Sequence, residues 1–271
     1  MSRSVSSRPT RRWQKPALSS APVSISRTIM AGAAATVLLA TSGLSWSEDS
    51  LNVQLHPSGM VEVGREKVSL AIIDLNAHGV GWEYASQKDT KAKVTDLPGK
   101  KGKLFSGSFE IPKSEGGAIQ YTETVRTLSE GLEIEYDLTM TKTMKLNGLQ
   151  LSISLPEAQY AGKEIMISQL RNDPELVGIP KEHTEGRSQI WTGAGSRIEL
   201  AKGTDDAVTI ELRAPTDVLV QDLRQWESPF FEIRFPALTD YSGREISAGA
   251  RFHIDLIVTF AAPVRLSKPQ P

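Results

Sequence analysis

The 271-residue chain contains 39% hydrophobic and 23% charged residues, ordinary proportions for a globular protein long enough to bury a core. It has no cysteine, which excludes disulfides, thiolate metal ligands and a cysteine nucleophile. Residues 1–47 hold six basic residues and no acidic one, which leaves 25 Lys and Arg against 32 Asp and Glu in residues 48–271. This acidic body argues against nucleic-acid binding, because such binding needs a cationic surface.

The first 47 residues have the organisation of a secretory signal peptide. Residues 1–28 are basic and rich in Ser and Pro, and residues 29–44 form an uncharged apolar run. That run is shorter than the about 20 apolar residues that a membrane span requires. Ser45-Trp46-Ser47 then has the small-x-small form of a cleavage site. We expect a cleaved leader over residues 1–47 and a periplasmic or secreted protein without a stable membrane span; an uncleaved anchor is the alternative.

Apolar and polar residues alternate with a period of two along most of the remaining chain. In residues 131–140 every second side chain is apolar and those between are Glu133, Glu135, Asp137 and Thr139. This pattern is typical of a strand with one buried face and one wet face. It recurs in residues 149–155, 208–212 and 252–260. Further strands are predicted at residues 60–64, 67–74, 81–86, 102–111, 118–128, 163–169, 188–192, 196–200, 217–223 and 229–235.

Turn residues separate these runs at 57–59, 97–99, 115–117 and 202–205. The Asn147-Gly148 pair lies between two alternating runs and predicts a hairpin turn. Residues 172–186 form the longest irregular segment, the kind of loop that often carries function. We expect an all-β fold, one large antiparallel β-sandwich of the supersandwich or jelly-roll kind over residues 48–266, with a disordered tail at 267–271.

Several catalytic motifs are missing from the sequence, including a phosphate-binding loop, a nucleophile elbow and a complete dinucleotide fingerprint. The four histidines lack metal-ligand spacing, and we expect no metal and no cofactor. Asp205 and Asp206 could bind calcium, with a plain hairpin turn as the alternative. Glu133, Glu135 and Asp137 share one strand face, as paired glycosidase carboxylates would, with a solvated outer face as the alternative.

Two segments combine aromatic and polar residues. Residues 74–87 surround two glycines with Asp74, Asn76, His78, Trp82, Glu83 and Tyr84. A sugar site needs such an aromatic platform beside hydrogen-bonding groups; the alternative is a strand connection with Trp82 in the core. Residues 221–230 hold Arg224, Trp226 and Glu227 near a turn marked by proline. Arg224 could clamp a carboxylate, or form a structural ion pair beside a core tryptophan. Trp191 and Tyr241 could add stacking surface.

The order of strands over residues 116–162 carries a resemblance to a known family. One strand enters Tyr121-Thr122-Glu123, a second begins Gly131-Leu132-Glu133, and an apolar third strand ends at Pro156. This order resembles galactose-mutarotase-like proteins and the β-sandwich domains of carbohydrate-active enzymes. The resemblance implies sugar-related work. That family uses histidines and a glutamate as acid and base; no local motif transfers those roles, and His78 and His183 are candidates by residue type.

Three functional hypotheses follow from these patterns. The first is an exported carbohydrate-binding or polysaccharide-processing accessory protein, with stacking by Trp82, Trp191 and Trp226 and polar contacts from Glu83, Arg224 and Glu227. The second is a glycosidase, lyase or epimerase whose acid and base come from His78, Glu83, Tyr121, Glu123 and Glu227. The third is a non-catalytic protein of the cell envelope. Convergence of the aromatic and acidic candidates on one concave face would favour a sugar ligand. The sequence leaves the oligomeric state open.

Overall fold

The computed structural model describes residues 50–169 and 171–267, and most of these residues lie in strands. The predicted leader and residues 268–271 of the predicted tail lie outside this part of the chain. The sixteen strands are β1 (Leu51–Leu55), β2 (Val61–Arg65), β3 (Val68–His78), β4 (Tyr84–Ser86), β5 (Lys93–Asp96), β6 (Gly102–Glu110), β7 (Ala118–Thr127), β8 (Gly131–Met140), β9 (Met144–Pro156), β10 (Glu164–Ser168), β11 (Glu175–Gly178), β12 (Gln189–Leu200), β13 (Val208–Asp222), β14 (Phe230–Ile246), β15 (Arg251–Phe260) and β16 (Val264–Leu266).

The helical segments within the described residues are single turns. The α-helical turn α1 covers Glu157–Tyr160, and 3-10 turns cover Val80–Trp82, Gln87–Asp89, Pro98–Lys100 and Leu223–Trp226. We call the first of these 3-10 turns the Trp82 turn and the last the Trp226 turn. None of the helical segments described has the length and apolar character that crossing a membrane would need.

The strands hydrogen-bond into one curled sheet. Its main path runs β16-β1-β2-β3-β9-β14-β13-β15-β8-β7-β6-β5, with β4 beside β3 and the β12-β10-β11 extension beside β13. The pairing of β1 with β16 is parallel, and the other pairs between described strands are antiparallel. The Tyr121 hydroxyl in β7 donates to the Ser58 carbonyl in the β1–β2 turn, at 2.6 Å. The two halves of the sheet therefore face each other, which confirms the predicted all-β sandwich.

A shared apolar core lies between the two halves. Leu132, Ile134, Tyr136 and Leu138 of β8 are each exposed by 1% or less, as are alternate residues of β9 and β13. Burial of one such side chain is worth roughly 1.5–3 kcal/mol relative to leaving it in water. This burial confirms the alternation predicted from the sequence, and it allows the sheet to hold together without disulfides.

The predicted hairpin at Asn147-Gly148 is wrong. Both residues lie inside β9, and residues 141–143 connect β8 to β9. Asn147 is buried and finds its hydrogen-bond partners in the Trp82 turn and in β14. Close packing explains why residue 148 is glycine, because a Cβ atom there would lie 3.2 Å from the His78 ring and 3.7 Å from the Trp82 ring. Close packing, and not a turn, therefore explains this pair.

The other predicted turns lie between strands. At residues 202–205 the chain links β12 to β13, and the adjoining Asp206 carboxylate pairs with Lys163 at 2.8 Å. The segment 172–186 is less irregular than predicted, because it contains β11.

The strands β3, β9, β14 and β13 lie side by side near the middle of the sheet, and their register sets out the site. Asp74, Ser152, Arg234 and Leu219 form one row across them, and Ser154, Glu232 and Gln221 lie in the next. Residues one position along each strand, such as Leu151, point into the core. Since side chains alternate between faces, these rows form a polar face on the side away from the core.

Candidate functional site

A cleft with a volume of about 750 Å³ opens on this polar face, within the range of small-molecule sites. Its floor includes Gln150, Glu232 and Arg234. At one end it is walled by His78, Trp82, Tyr84 and Tyr241, and at the other by Leu223, Trp226 and Phe230. The cleft therefore has an aromatic wall at each end and polar groups between them.

The first wall is a set of mutually packed rings. The Trp82 ring centroid lies 5.6 Å from that of Tyr241 and 5.4 Å from that of His78. Both aromatic side chains remain open to the cleft, since Trp82 is 37% exposed and Tyr241 is 84% exposed. We call Trp82 and Tyr241 the first platform. Large rings held at a cleft in this way present apolar faces on which a ligand can stack.

The backbone of the Trp82 turn is held in an unusual conformation. Trp82 has φ of +63°, and Gly81 before it has φ of +77°. A positive φ is uncommon outside glycine and tends to occur where surrounding contacts enforce it. Here the Trp82 amide donates to the Gly79 carbonyl at 3.1 Å, and the Trp82 carbonyl accepts from His78 Nδ1 at 3.3 Å. These contacts fix the direction of the tryptophan side chain.

Asn147 joins the two segments that carry the first platform, namely the Trp82 turn and the part of β14 around Tyr241. Its Oδ1 accepts from the Gly81 amide at 3.0 Å. Its Nδ2 donates to the carbonyls of Asp240 and Tyr241 at 2.8 and 3.0 Å. One buried side chain in β9 therefore positions both aromatic residues.

His78 presents an unpaired ring nitrogen to the cleft. Because Nδ1 must donate to the Trp82 carbonyl, Nε2 of the neutral ring carries a lone pair. That Nε2 is buried and has no hydrogen-bond partner among the described residues. Burial, followed by the nearby charge of Arg234, lowers the pKa of His78 below its usual 6.5. At neutral pH the ring is therefore an uncharged base.

Some polar groups on the floor of the cleft are hydrogen-bonded, and others have no partner. The Glu232 carboxylate accepts from the Ser152 hydroxyl at 2.5 Å and from Arg234 Nη2 at 2.8 Å. Arg234 Nε and Gln150 Nε2 are buried without an acceptor among the described residues. Buried polar atoms of proteins are nearly always paired, so an unpaired donor calls for an explanation. Both donors belong to side chains that line the floor of the cleft.

Trp226 forms the opposite wall and is 57% exposed. Arg224 holds the Trp226 turn in place through ion pairs with Asp222 at 2.8 Å and Glu157 at 2.6 Å. The Arg224 guanidinium also lies 4.7 Å from the centre of the Phe231 ring. Arg224 is therefore a structural ion-pairing residue in this fold, while Trp226 faces the cleft.

The structure brings together in the cleft six of the residues that the sequence suggested for a sugar site, namely Asn76, His78, Trp82, Tyr84, Trp226 and Tyr241. Other candidates lie elsewhere. Trp191 is 8% exposed and its Nε1 donates to Glu175 at 2.9 Å. Glu83 pairs with Lys113 at 2.5 Å, and Glu227 ends the Trp226 turn with φ of +59°. None of these last three lines the cleft.

Tyr121 and Glu123, two further candidates, lie on the core side of β7. Glu123 is fully buried and accepts from Gln87 Nε2 at 2.7 Å. Burial raises the pKa of Glu123 to about 8. Burial likewise raises the pKa of Asp74, which accepts from Ser86, to about 6. Both carboxyl groups are buried, Glu123 on the core side of β7 and Asp74 on the polar face of β3, and neither lines the cleft.

The carboxylates of β8 lie on the outer face of the sheet, at a distance from the cleft. Glu133 pairs with Arg126 at 3.1 Å, and Asp137 pairs with His253 at 3.0 Å. Glu135, Asp137 and His253 have potential ligand atoms within 4.8 Å of one another, so they could hold a metal ion. Arg126 already bonds Glu135 at 3.3 Å. These three residues are largely solvated, which agrees with the alternative of a solvated outer face.

No motif in the sequence marks Gln150, Glu232 or Arg234 as site residues. One local signal was present: in residues 230–235, Glu232 and Arg234 alternate with apolar Phe231, Ile233 and Phe235. That alternation predicts a strand with a polar face. It does not reveal that this face meets His78, some 150 positions earlier in the chain.

The chain matches no protein-family model and no curated protein sequence. Among solved structures it is similar to a galactose mutarotase-like protein from Lactobacillus casei ATCC 334, with TM-score 0.50 and 13% identity, covering 75% of this chain and 94% of the other. A galactose mutarotase related enzyme from Lactobacillus acidophilus aligns with TM-score 0.42 and 8% identity over 80% and 99% of the two chains. The first likeness shows the fold: this chain has the galactose mutarotase-like sandwich that the strand order resembled.

Proposed function

We propose that the cleft binds a saccharide and that the protein is a carbohydrate-binding or polysaccharide-processing accessory protein. The observation that carries this proposal is the pair of unpaired buried donors, Gln150 Nε2 and Arg234 Nε, on a floor between aromatic walls. Sugar hydroxyls can accept from both donors once the Gln150 and Arg234 side chains turn toward the ligand, and the C–H faces of a sugar ring can pack on Trp82. Convergence of Trp82 and Trp226 on one concave surface argues against a protein with no small ligand.

Saccharide binding can be tested by calorimetry on the purified protein, with ligands chosen from a glycan array. Trp82→Ala removes a stacking surface, and we expect it to weaken binding at least tenfold. Trp191→Phe is the matched control, because Trp191 does not line the cleft, and its affinity should equal that of the unmodified protein. Absence of binding to every saccharide on the array, or unchanged affinity in Trp82→Ala, would contradict the proposal.

A carbohydrate-active enzyme on the same scaffold is the second candidate, and the unpaired Nε2 of His78 favours it. Opening a hemiacetal sugar ring needs a base that takes the proton of the anomeric hydroxyl, while the C1–O5 bond breaks and the ring oxygen receives a proton from water. His78 lines the cleft, and its lowered pKa leaves Nε2 of the ring an uncharged base at neutral pH. An epimerase-type reaction is therefore the activity that this residue supports.

Polarimetry of freshly dissolved α-galactose or α-glucose measures this activity directly. We expect His78→Asn to lower the rate by about 10²–10⁴, the usual contribution of a general base. His183→Asn, altered outside the cleft, should retain the full rate. If the unmodified protein interconverts the anomers no faster than buffer, the enzyme candidate fails and the binding proposal stands.

We also propose export to the periplasm or the medium, on the basic, apolar and small-residue order of residues 1–47. The mass and amino-terminal sequence of the protein recovered from a bacterial expression host test this proposal. Cleavage after Ser47 predicts a chain that begins at Glu48. An intact amino terminus in the membrane fraction would support the anchor instead.

A further inference from the structure

We infer that the cleft takes a saccharide chain of at least two linked units, with one unit on the first platform and another against Trp226. This inference rests on the proposed function and adds the length of the ligand. It follows from the distance between the aromatic walls, the groups between them and their exposure.

The two walls lie at opposite ends of a long floor. The first platform stands over Gly148, since a Cβ atom there would contact the Trp82 ring at 3.7 Å. The Trp226 turn follows the end of β13, where Gln221 is level with Glu232 and, across β14, with Ser154 of β9. Ser154 lies six positions along β9 from Gly148. At roughly 3.4 Å per residue this is about 20 Å of strand, whereas one pyranose ring spans only a fraction of that length.

The groups between the walls suit the hydroxyls of a linked chain. Going along β9 from Gly148, Gln150 comes first, then Ser152 with Arg234 beside it, then Ser154 with Glu232 beside it. The unpaired donors Gln150 Nε2 and Arg234 Nε therefore lie in the interval between the two walls. A single sugar on the first platform would not reach the Trp226 wall.

The exposure of the walls supports the same conclusion. Tyr241 is 84% exposed and Trp226 is 57% exposed, so each presents apolar surface to water. Exposed apolar surface concentrated at a groove usually marks a binding surface. Because the two rings stand at separate ends, a ligand that covers both must be extended.

Calorimetry with linear oligosaccharides of one to six units tests this inference on the full-length protein. The α(1→4), β(1→4) and β(1→3) glucose series serve as probes, together with any series that a glycan array identifies. We expect affinity to rise at least tenfold between the monosaccharide and the tetrasaccharide and then to level off. Trp226→Ala should lower tetrasaccharide affinity at least tenfold and leave monosaccharide affinity unchanged, whereas Trp82→Ala should weaken both.

Trp191→Phe is the control for loss of a tryptophan, and matching urea midpoints establish that Trp226→Ala is folded. Equal affinity for monosaccharide and tetrasaccharide, or no effect of Trp226→Ala on the tetrasaccharide, would overturn the two-unit inference and leave saccharide binding intact. Failure of every saccharide to bind would overturn both.

Discussion

Asn147 shows how much of the site depends on one side chain that never needs to touch a ligand. It is 3% exposed and bonds three backbone groups, one in the Trp82 turn and two in β14. These two segments carry Trp82 and Tyr241, which are 159 positions apart in the chain. A buried amide that satisfies several backbone groups is expensive to remove, because its partners stay behind without hydrogen bonds. We regard Asn147 as a positioning residue for the first platform.

Asn147→Ala should destabilise the protein by about 1–3 kcal/mol, the cost of leaving buried polar groups unpaired. It should also weaken saccharide binding, because Trp82 and Tyr241 are no longer fixed relative to each other. Urea unfolding and calorimetry measure the two effects. Asn172→Ala, at an exposed asparagine, is the control and should change neither. A variant that loses stability but keeps full affinity would show that Asn147 does not position the platform.

At the scale of elements, the Trp226 turn is fixed by the ion pairs of Arg224. The guanidinium bonds Asp222 before the turn, Glu157 in α1, and the carbonyls of Pro180 and Lys181. Its side chain is only 8% exposed. The planar fork of arginine makes all these bonds at once, and lysine cannot reproduce that geometry. The position of Trp226 at the second wall of the cleft therefore depends on the ion pairs of Arg224.

Arg224→Lys should cost several kcal/mol of stability, since buried ion pairs that lose a partner typically cost about 3–5 kcal/mol and lysine replaces only part of the contacts. Tetrasaccharide affinity should fall, because Trp226 loses its fixed orientation, while monosaccharide affinity on the first platform should stay the same. Unfolding curves and calorimetry check both effects. Arg213→Lys is the control, at a half-exposed arginine of the outer face. An unchanged tetrasaccharide affinity would contradict the proposed role.

The sequence predicts the elements far better than their partners. Alternation located β8, β9 and β15 and their buried faces, because a half-buried strand imposes its period on the local sequence. The sequence also has His78 and Trp82 in one short segment. The floor of the cleft depends on β9 and β14 pairing across some 80 positions, and no local pattern encodes that pairing. The hairpin prediction at Asn147-Gly148 was wrong for the same reason, since the partners of Asn147 lie far away in the sequence, in the Trp82 turn and in β14.

At the scale of the whole molecule, a polar cluster links the two halves of the sandwich. Gln87 Oε1 accepts from the Leu75 amide of β3 and from the Tyr136 hydroxyl of β8, at 3.2 and 2.9 Å. Gln87 Nε2 donates to the Ser58 carbonyl and to Glu123 of β7. Because burial raises the pKa of Glu123 to about 8, its carboxyl is neutral at pH 7. The core thus tolerates Glu123 as long as it keeps its proton.

Stability should therefore fall as pH rises from about 6 to 8. In this window the folded protein holds a proton on Glu123 that the unfolded chain, with a carboxyl pKa of 4.5, has lost. The free energy of unfolding drops by roughly 1.4 kcal/mol per pH unit for one such group. Asp74 also lowers the free energy of unfolding as pH rises, but this contribution ends near pH 6, where its folded-state pKa lies.

Urea unfolding at pH 6, 7 and 8 measures this effect. The free energy of unfolding should change less with pH in Glu123→Gln, which stays neutral and keeps an oxygen for Gln87. Glu110→Gln, at an exposed position of β6, should keep the original slope, and parallel slopes in all three proteins would mean that Glu123 is already ionised in the folded state.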